Sequence, residues 1–209
     1  IQSMKTATHP KLFKFTNYTK ENFQLSEEQI SHQIFTADTL QFLEKLHTRF
    51  QPKRSQLLHD RVLLAKKIDS GFIPQFPNET NYIRNSNWSV AACPADLAKR
   101  TVEITGPAEA KMIINALNSG ADVFMADLED ALSPTWENVV TGHYSLKLAA
   151  EKNLKFYGDK NKSYSLNDKL ATLLVRPRGL HLEEKNLEFN SIPMSASLFD
   201  FGLNFFHTA

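Results

Sequence analysis

Two apolar stretches, Val123-Phe124-Met125-Ala126 and Thr172-Leu173-Leu174-Val175, each run straight into charge. The first leads into Asp127-Leu128-Glu129-Asp130 and the second into Arg176-Pro177-Arg178-Gly179. Short unbroken apolar runs read as strands buried on both faces, the pattern of parallel sheets. A guanidinium at the end of such a strand is costly to desolvate unless a carboxylate or an anionic ligand faces it. One acidic and one basic strand end, about fifty residues apart, therefore constrain the fold to bring them together.

The surrounding pattern supplies the frame. From Arg100 the chain reads as strand, helix, strand, helix, strand, helix. Thr101-Val102-Glu103-Ile104 is a strand stopped by Thr105-Gly106-Pro107. Residues 108–118 form a helix with Met112, Ile113, Ala116 and Leu117 inward and Gly120 as its stop. The second strand covers 121–126. Ser133-Pro134 caps a helix reaching at least Val140, and in pieces Ala150. Residues 155–169 read as an exposed excursion or hairpin, 171–175 as the third strand, and 195–207 as an amphipathic helix carrying Leu198, Phe199, Phe201, Leu203 and Phe206. This order predicts an α/β fold with right-handed crossovers, either a (β/α)8 barrel or a doubly wound sheet. In both, the C-terminal strand ends share one face, so Thr105, Asp127, Glu129, Asp130, Arg176 and Arg178 converge there.

Residues 1–100 read as a helical and irregular region, and 101–209 as the barrel-like part. Leu40, Leu43, Leu46 and Phe50 predict one helix, ended by Gln51-Pro52. Pro52 then starts a second helix with Leu57, Leu58, Leu64, Ala65 and Ile68 as its apolar side, closed by Gly71 and Pro74. Its polar side (Lys53, Arg54, His59, Arg61, Lys66, Lys67) reads as a solvated face. Residues 72–100 are mainly loop, with a short helix after Pro94.

Composition removes several classes of function. The 209 residues are 42% hydrophobic and 22% charged, as in an ordinary globular protein, and a net charge of +1 gives no electrostatic case for nucleic acid or membrane. No run approaches the ~20 apolar residues of a membrane span. The start, Ile1-Gln2-Ser3-Met4-Lys5, has no signal-peptide core, Met4 reads as a possible native start, and the lone Cys93 fits a reducing compartment; the expectation is a cytoplasmic protein. The seven glycines include no dinucleotide or phosphate-loop fingerprint.

At the strand ends two readings stay open. Asp127, Glu129 and Asp130 either favour the positive end of a following helix or sit around a hard cation such as Mg2+, directly or through water. Arg176 and Arg178, placed on one side by strand alternation, either pair with those acids or clamp a carboxylate and stabilise a developing oxyanion. His181 and His207 read as packing or surface residues, and nothing near Cys93 suggests an activated thiol.

Several long segments resemble the malate synthase family, in its shorter A form. They are Arg100-Thr101-Val102-Glu103-Ile104-Thr105-Gly106-Pro107, Lys111-Met112-Ile113-Ile114-Asn115-Ala116-Leu117-Asn118, Val123 through Asp130, Val175-Arg176-Pro177-Arg178-Gly179-Leu180-His181-Leu182 and Ser197-Leu198-Phe199-Asp200-Phe201. Pro94-Ala95-Asp96-Leu97 also fits, so the resemblance runs from about Ile34 to the end. It implies a helical N-terminal region followed by the first three βα units of a TIM barrel, incomplete in this chain. It also implies condensation of acetyl-CoA with glyoxylate to malate and CoA, as in the glyoxylate cycle, with Mg2+ at the barrel mouth. Arg176 would match the catalytic, substrate-binding arginine. Asp127 and Glu129 would match the acids that bond water on the metal, and Arg178 would support them. The family's direct Mg2+ ligands and aspartate base would lie beyond residue 209, so the chain alone is expected to be inactive. A citrate lyase β-subunit-like or malyl-CoA lyase-like enzyme is the alternative, and a non-catalytic binding or assembly module the third reading.

Overall fold

Residues 27–158 and 162–208 are described in a computed structural model; the expectations drawn from Ile1 to Lys5 fall outside them. The helical part comprises α1 (Glu27–Ile34), α2 (Ala37–Asp69) and the single turn α3 (Asn81–Arg84). A three-stranded sheet follows, built from β1 (Glu103–Pro107), β2 (Val123–Asp127) and β5 (Thr172–Arg176). Its crossover helices are α4 (Ala110–Leu117) and α5 (Trp136–Ala150). Two hairpins decorate it, β3 (Lys155–Tyr157) with β4 (Ser163–Ser165), and β6 (Glu183–Phe189) with β7 (Ile192–Ser195), before α6 (Ala196–Thr208).

The sheet is parallel throughout, with β2 in the middle. Asp127 lies level with Pro107 on one side and Arg176 on the other. Among the described residues the sheet is open: β1 and β5 each pair with β2 alone. This is the start of a (β/α)8 arrangement, three strand-and-helix units without closure.

Two buried clusters hold the chain. One lies between the sheet and α4 and α5, around Ile113, Ile114, Leu117, Phe124, Leu128 and Leu146, and reaches Phe156 in the β3–β4 hairpin. The second joins the N-terminal helices to α5, α6 and the second hairpin through Ile30, Ile34, Leu43, Val140, Phe199 and Leu203. The N-terminal helices thus share a core with the barrel part.

Several expectations need correction. Pro52 does not separate two helices: α2 runs unbroken for 33 residues with Pro52 inside it. Losing one backbone bond costs about 3 kcal/mol, and tertiary anchors on both sides of Pro52 offset that, Leu40, Leu43 and His47 before it and Arg54 after it, all buried. Arg54 is therefore not on a solvated face. Conversely Leu57, Leu64 and Ile68, read as the apolar side, are about half exposed. The first strand starts at Glu103 and continues through Gly106 and Pro107, because an edge position tolerates a residue without an N–H. Thr105 accordingly lies two residues short of the level of Asp127. The cap of α5 is Thr135, whose Oγ1 accepts the Asn138 N–H at 3.2 Å, and the helix runs to Ala150 in one piece. In α6, Phe201, Phe205 and Phe206 are exposed while Asp200 is buried. The β6–β7 hairpin was not foreseen.

Close approach of α2 to α6 depends on Gly202. A Cβ there would lie 2.5 Å from Leu43 Cδ2 and 2.9 Å from Leu46 Cδ1. Leu43 is fully buried and has little room to yield. Gly202→Val should destabilise the fold by about 1–3 kcal/mol in chemical denaturation, the usual cost of overpacking; an unchanged midpoint would refute this packing.

Two histidines tie stability to pH. Burial pushes His47 below its ordinary value of 6.5, and Arg54 adds to this against the opposing Glu44. Burial likewise lowers His207, although its bond to the Ile34 carbonyl at 2.9 Å opposes the shift. The folded state favours both neutral rings, so their stability contribution is complete above pH 6.5 and is lost as pH falls below it. Melting temperature should therefore drop between pH 7.5 and 5.5, and less so in a His47→Gln, His207→Gln variant.

Candidate functional site

The site forms at the C-terminal ends of β2 and β5. Parallel pairing sets Asp127 beside Arg176, and the Leu128 N–H donates to the Arg176 carbonyl at 3.0 Å. Asp127 is buried, and its Oδ1 accepts the backbone N–H groups of Glu129 (2.9 Å) and Asp130 (3.1 Å). A side chain that satisfies the two following amides folds them into a tight turn. That turn brings Glu129 and Asp130 back towards the neighbouring strand end.

Arg176 receives all three acids. Its Nη1 lies 3.2 Å from Asp127 Oδ2 and 2.6 Å from Asp130 Oδ2, and its Nη2 lies 2.8 Å from Glu129 Oε2. The Asp130 hydrogen bond leads the interactions that raise the arginine's pKa, so the guanidinium stays charged. A guanidinium has five N–H donors. Three contacts leave the Nε–H and one Nη2 hydrogen without a partner among the described residues. These are suitable for a planar, two-oxygen ligand. The Arg176 side chain is 37% exposed, so that free edge is accessible.

Glu129 keeps one open oxygen. Its Oε1 lies over Gly179, 2.5 Å from where a Cβ would stand, with the His181 ring 2.7 Å from the same point. Glycine at 179 is what allows the carboxylate and the imidazole to share that space. His181 itself is exposed.

The residues present do not make a metal cage. Among the described residues no group of three or more His, Cys, Asp or Glu side chains is arranged to hold an ion. Both Asp127 oxygens already accept N–H groups, and Glu129 Oε2 faces Arg176. What remains, chiefly Glu129 Oε1, fits acceptance of a hydrogen bond from water on an ion held elsewhere.

Arg178 does not share these partners, contrary to the expectation that both arginines serve one side of the strand end. The regular strand stops at Arg176, so alternation no longer governs Arg178. It is 4% exposed and faces α6 and β6. Its backbone N–H and Nε both donate to Asp200 Oδ2 at 2.9 Å, its Nη2 to Asp200 Oδ1 at 2.8 Å, and its Nη1 to Glu184 Oε2 at 3.0 Å. His143 Nε2–H donates to Asp200 Oδ1 at 3.1 Å, since a carboxylate can only accept.

This network was missed in the sequence. The available signal was Asp200 itself, one acid between Phe199 and Phe201 in an apolar helix, which demands a buried cation. Burial pushes the Asp200 carboxyl up, but the bonds and charges of His143 and Arg178 outweigh it and hold the group below the ordinary 3.8. Cys93 is exposed, its sulfur 3.8 Å from Arg100 Nη2, and belongs to no cluster.

An open parallel βα sheet with acids and an arginine meeting at its C-terminal strand ends fits the opening units of a barrel-type α/β fold. Known proteins make the class specific. The malate synthase N-terminal domain matches residues 19–82, and the malate synthase TIM barrel domain matches residues 172–209. Malate synthase of Myxococcus xanthus (strain DK1622) is 49% identical over 177 residues, covering 85% of this chain and 33% of the relative. Malate synthase of Arabidopsis thaliana is 46% identical over 181 residues, 86% of this chain and 32% of that one. Malate synthase A of Escherichia coli (strain K12) is 45% identical over 175 residues, 84% and 33%. Over about 85% of its own length the chain is similar to malate synthases, and it spans about a third of the length of these curated relatives. Among the described residues no helix is long and apolar enough to cross a membrane.

Asp200→Ala should cost about 3–5 kcal/mol in denaturant unfolding, because it strands the buried Arg178 charge. The depressed Asp200 carboxyl also sets an acid limit. Its stabilisation is complete above pH 3.8 and is lost as pH falls below that value. The acid limb of the stability curve should flatten in Asp200→Asn.

Proposed function

We propose that this chain contributes the N-terminal helical region, residues 1–100, and the opening of the barrel, residues 101–209, of a malate synthase. The enzyme condenses acetyl-CoA with glyoxylate to give malate and CoA. One observation carries the reading: Arg176 meets Asp127 and Glu129 at adjacent parallel strand ends while two of its donors remain free.

In this mechanism Arg176 binds glyoxylate through its open donor edge and polarises the aldehyde oxygen. As the acetyl enolate forms and attacks, the same charge stabilises the developing oxyanion, an electrostatic and general-acid role. Asp127 and Glu129 keep the guanidinium in place. Their remaining lone pairs would accept hydrogen bonds from water on a bound Mg2+. When bound, that ion would supply Lewis-acid polarisation of the substrate. Arg178 fixes the loop that follows Arg176. Removing a methyl proton from acetyl-CoA needs a free base. All three acids at this site are ion-paired to Arg176, which makes them weak bases, so no condensation is expected from the chain alone. The exposed single thiol fits a reducing, cytoplasmic setting.

Release of CoA thiol from acetyl-CoA and glyoxylate is expected to be undetectable with these 209 residues alone. In a protein of full family length carrying this sequence, Arg176→Gln should lower kcat about 10²–10³-fold, as for loss of an oxyanion donor. Equal activity in that variant would remove Arg176 from the chemistry. Cleavage of malyl-CoA without condensation would instead favour the lyase-like alternative.

A further inference from the structure

The turn after Arg178 is gripped from the N-terminal region by one side chain. Gly179 to Leu182 form a tight turn closed by the Leu182 N–H on the Gly179 carbonyl at 3.0 Å. The carbonyls of that turn converge on Arg54 of α2. Arg54 Nε donates to Leu180 O at 2.6 Å, and its Nη2 lies 3.3 Å from His181 O and 3.2 Å from Leu182 O. The side chain is 5% exposed, and the nearest carboxylate, Glu183, stands 3.7 Å from Nη1 and is itself 45% exposed.

This is an unusual way to bury a cation. Desolvating a guanidinium is costly, and here most of the compensation comes from three backbone dipoles, with no buried carboxylate opposite. Those dipoles converge in only one conformation of the turn. The buried charge of α2 therefore selects that conformation and penalises others. The other end of the segment is fixed by the Arg178 N–H on Asp200, and its exit by the Ala196 N–H on the Leu182 carbonyl at 3.0 Å. Arg176 lies immediately before this held segment, and Gly179 within it lies beneath Glu129 Oε1, which partners Arg176 on its other oxygen.

We propose that Arg54 is a positioning residue: from the N-terminal helix it locks the 179–182 turn and so sets the placement of Arg176 and Glu129. The functional consequence rests on the reading of Arg176 as the glyoxylate-binding arginine, whereas the mechanical link does not. Lysine is a poor substitute, because a compact ammonium on a flexible stem does not match three carbonyls held in a fan.

Arginine side-chain NMR tests this without requiring turnover. In the unaltered chain, Arg54 Nε–H should exchange with solvent at least about tenfold more slowly than Arg61 Nε–H, which is on the same helix and exposed. Equal exchange would overturn the proposal outright. Arg54→Met should shift the Arg176 Nε–H resonance and speed exchange of the Leu182 amide, while Arg61→Met leaves both in place. Arg54→Lys, which keeps the charge and is the milder change, should give the same shift in smaller measure. A folded Arg54→Met or Arg54→Lys chain with an unmoved Arg176 signal would also overturn it. Glyoxylate titration is a separate arm: an Arg176 signal indifferent to millimolar glyoxylate counts against the functional reading and leaves the Arg54 result standing.

Discussion

The buried contact between Arg178 and Asp200 is the interaction on which the rest of this structure depends. Both charges are removed from water, and each is compensated almost completely: Asp200 accepts four hydrogen bonds, and Arg178 spans Asp200 and Glu184 while lying 5.8 Å from the Phe199 ring centroid. Ion pairs of this kind contribute little net stability compared with an apolar replacement, but they tolerate no misalignment. Here the alignment concerns the end of β5, the start of α6 and the edge of the second hairpin at once. Because the Arg178 backbone N–H joins the same carboxylate, the constraint acts on the main chain two residues beyond Arg176.

A division of labour between the two arginines follows. They are two residues apart and chemically identical, yet one is buried among fixed partners and the other faces solvent with an open edge. Charge balance explains the difference. Arg178 meets two buried acids on two elements and is itself buried, so its remaining N–H groups are out of a ligand's reach. Arg176 meets acids that belong to one turn and approach from one side, so its opposite edge stays open. A rigid arginine beside a responsive one is an economical way to hold a charged ligand site at the end of a strand.

Much of this was legible in the sequence where local chemistry and long-range order agree. The strand at 123–127 and that at 172–176 are short apolar runs ending in charge, and the pairing of their ends follows from parallel topology. Helix α4 was read from its apolar spacing, and residues 155–169 as an exposed excursion or hairpin, of which the β3–β4 hairpin is what forms. The failures have physical causes. Pro52 looks like a boundary because local backbone energy disfavours it in a helix, and only distant contacts to Leu43, His47 and Arg54 override that. Arg54 looked solvated because lysines and arginines surround it in sequence, while its partners are backbone carbonyls 126 to 128 residues away, which no residue pattern encodes. The β6–β7 hairpin, with its register shift between Glu184 and Glu188, hides its alternation behind charged residues. Asp200 gave a signal in the wrong company, a lone acid among phenylalanines.

The unpaired side of β5 has a consequence for assembly. Every residue of that strand is partly buried, and its outer row of amide and carbonyl groups is unmatched among the described residues. A strand that docks on it in parallel would satisfy that row of groups, with its register chosen by its own pattern of side chains. A strand end that arrives level with Arg176 would set its following residues beside the ligand site. The open edge therefore offers the site a further wall, whichever polypeptide provides it.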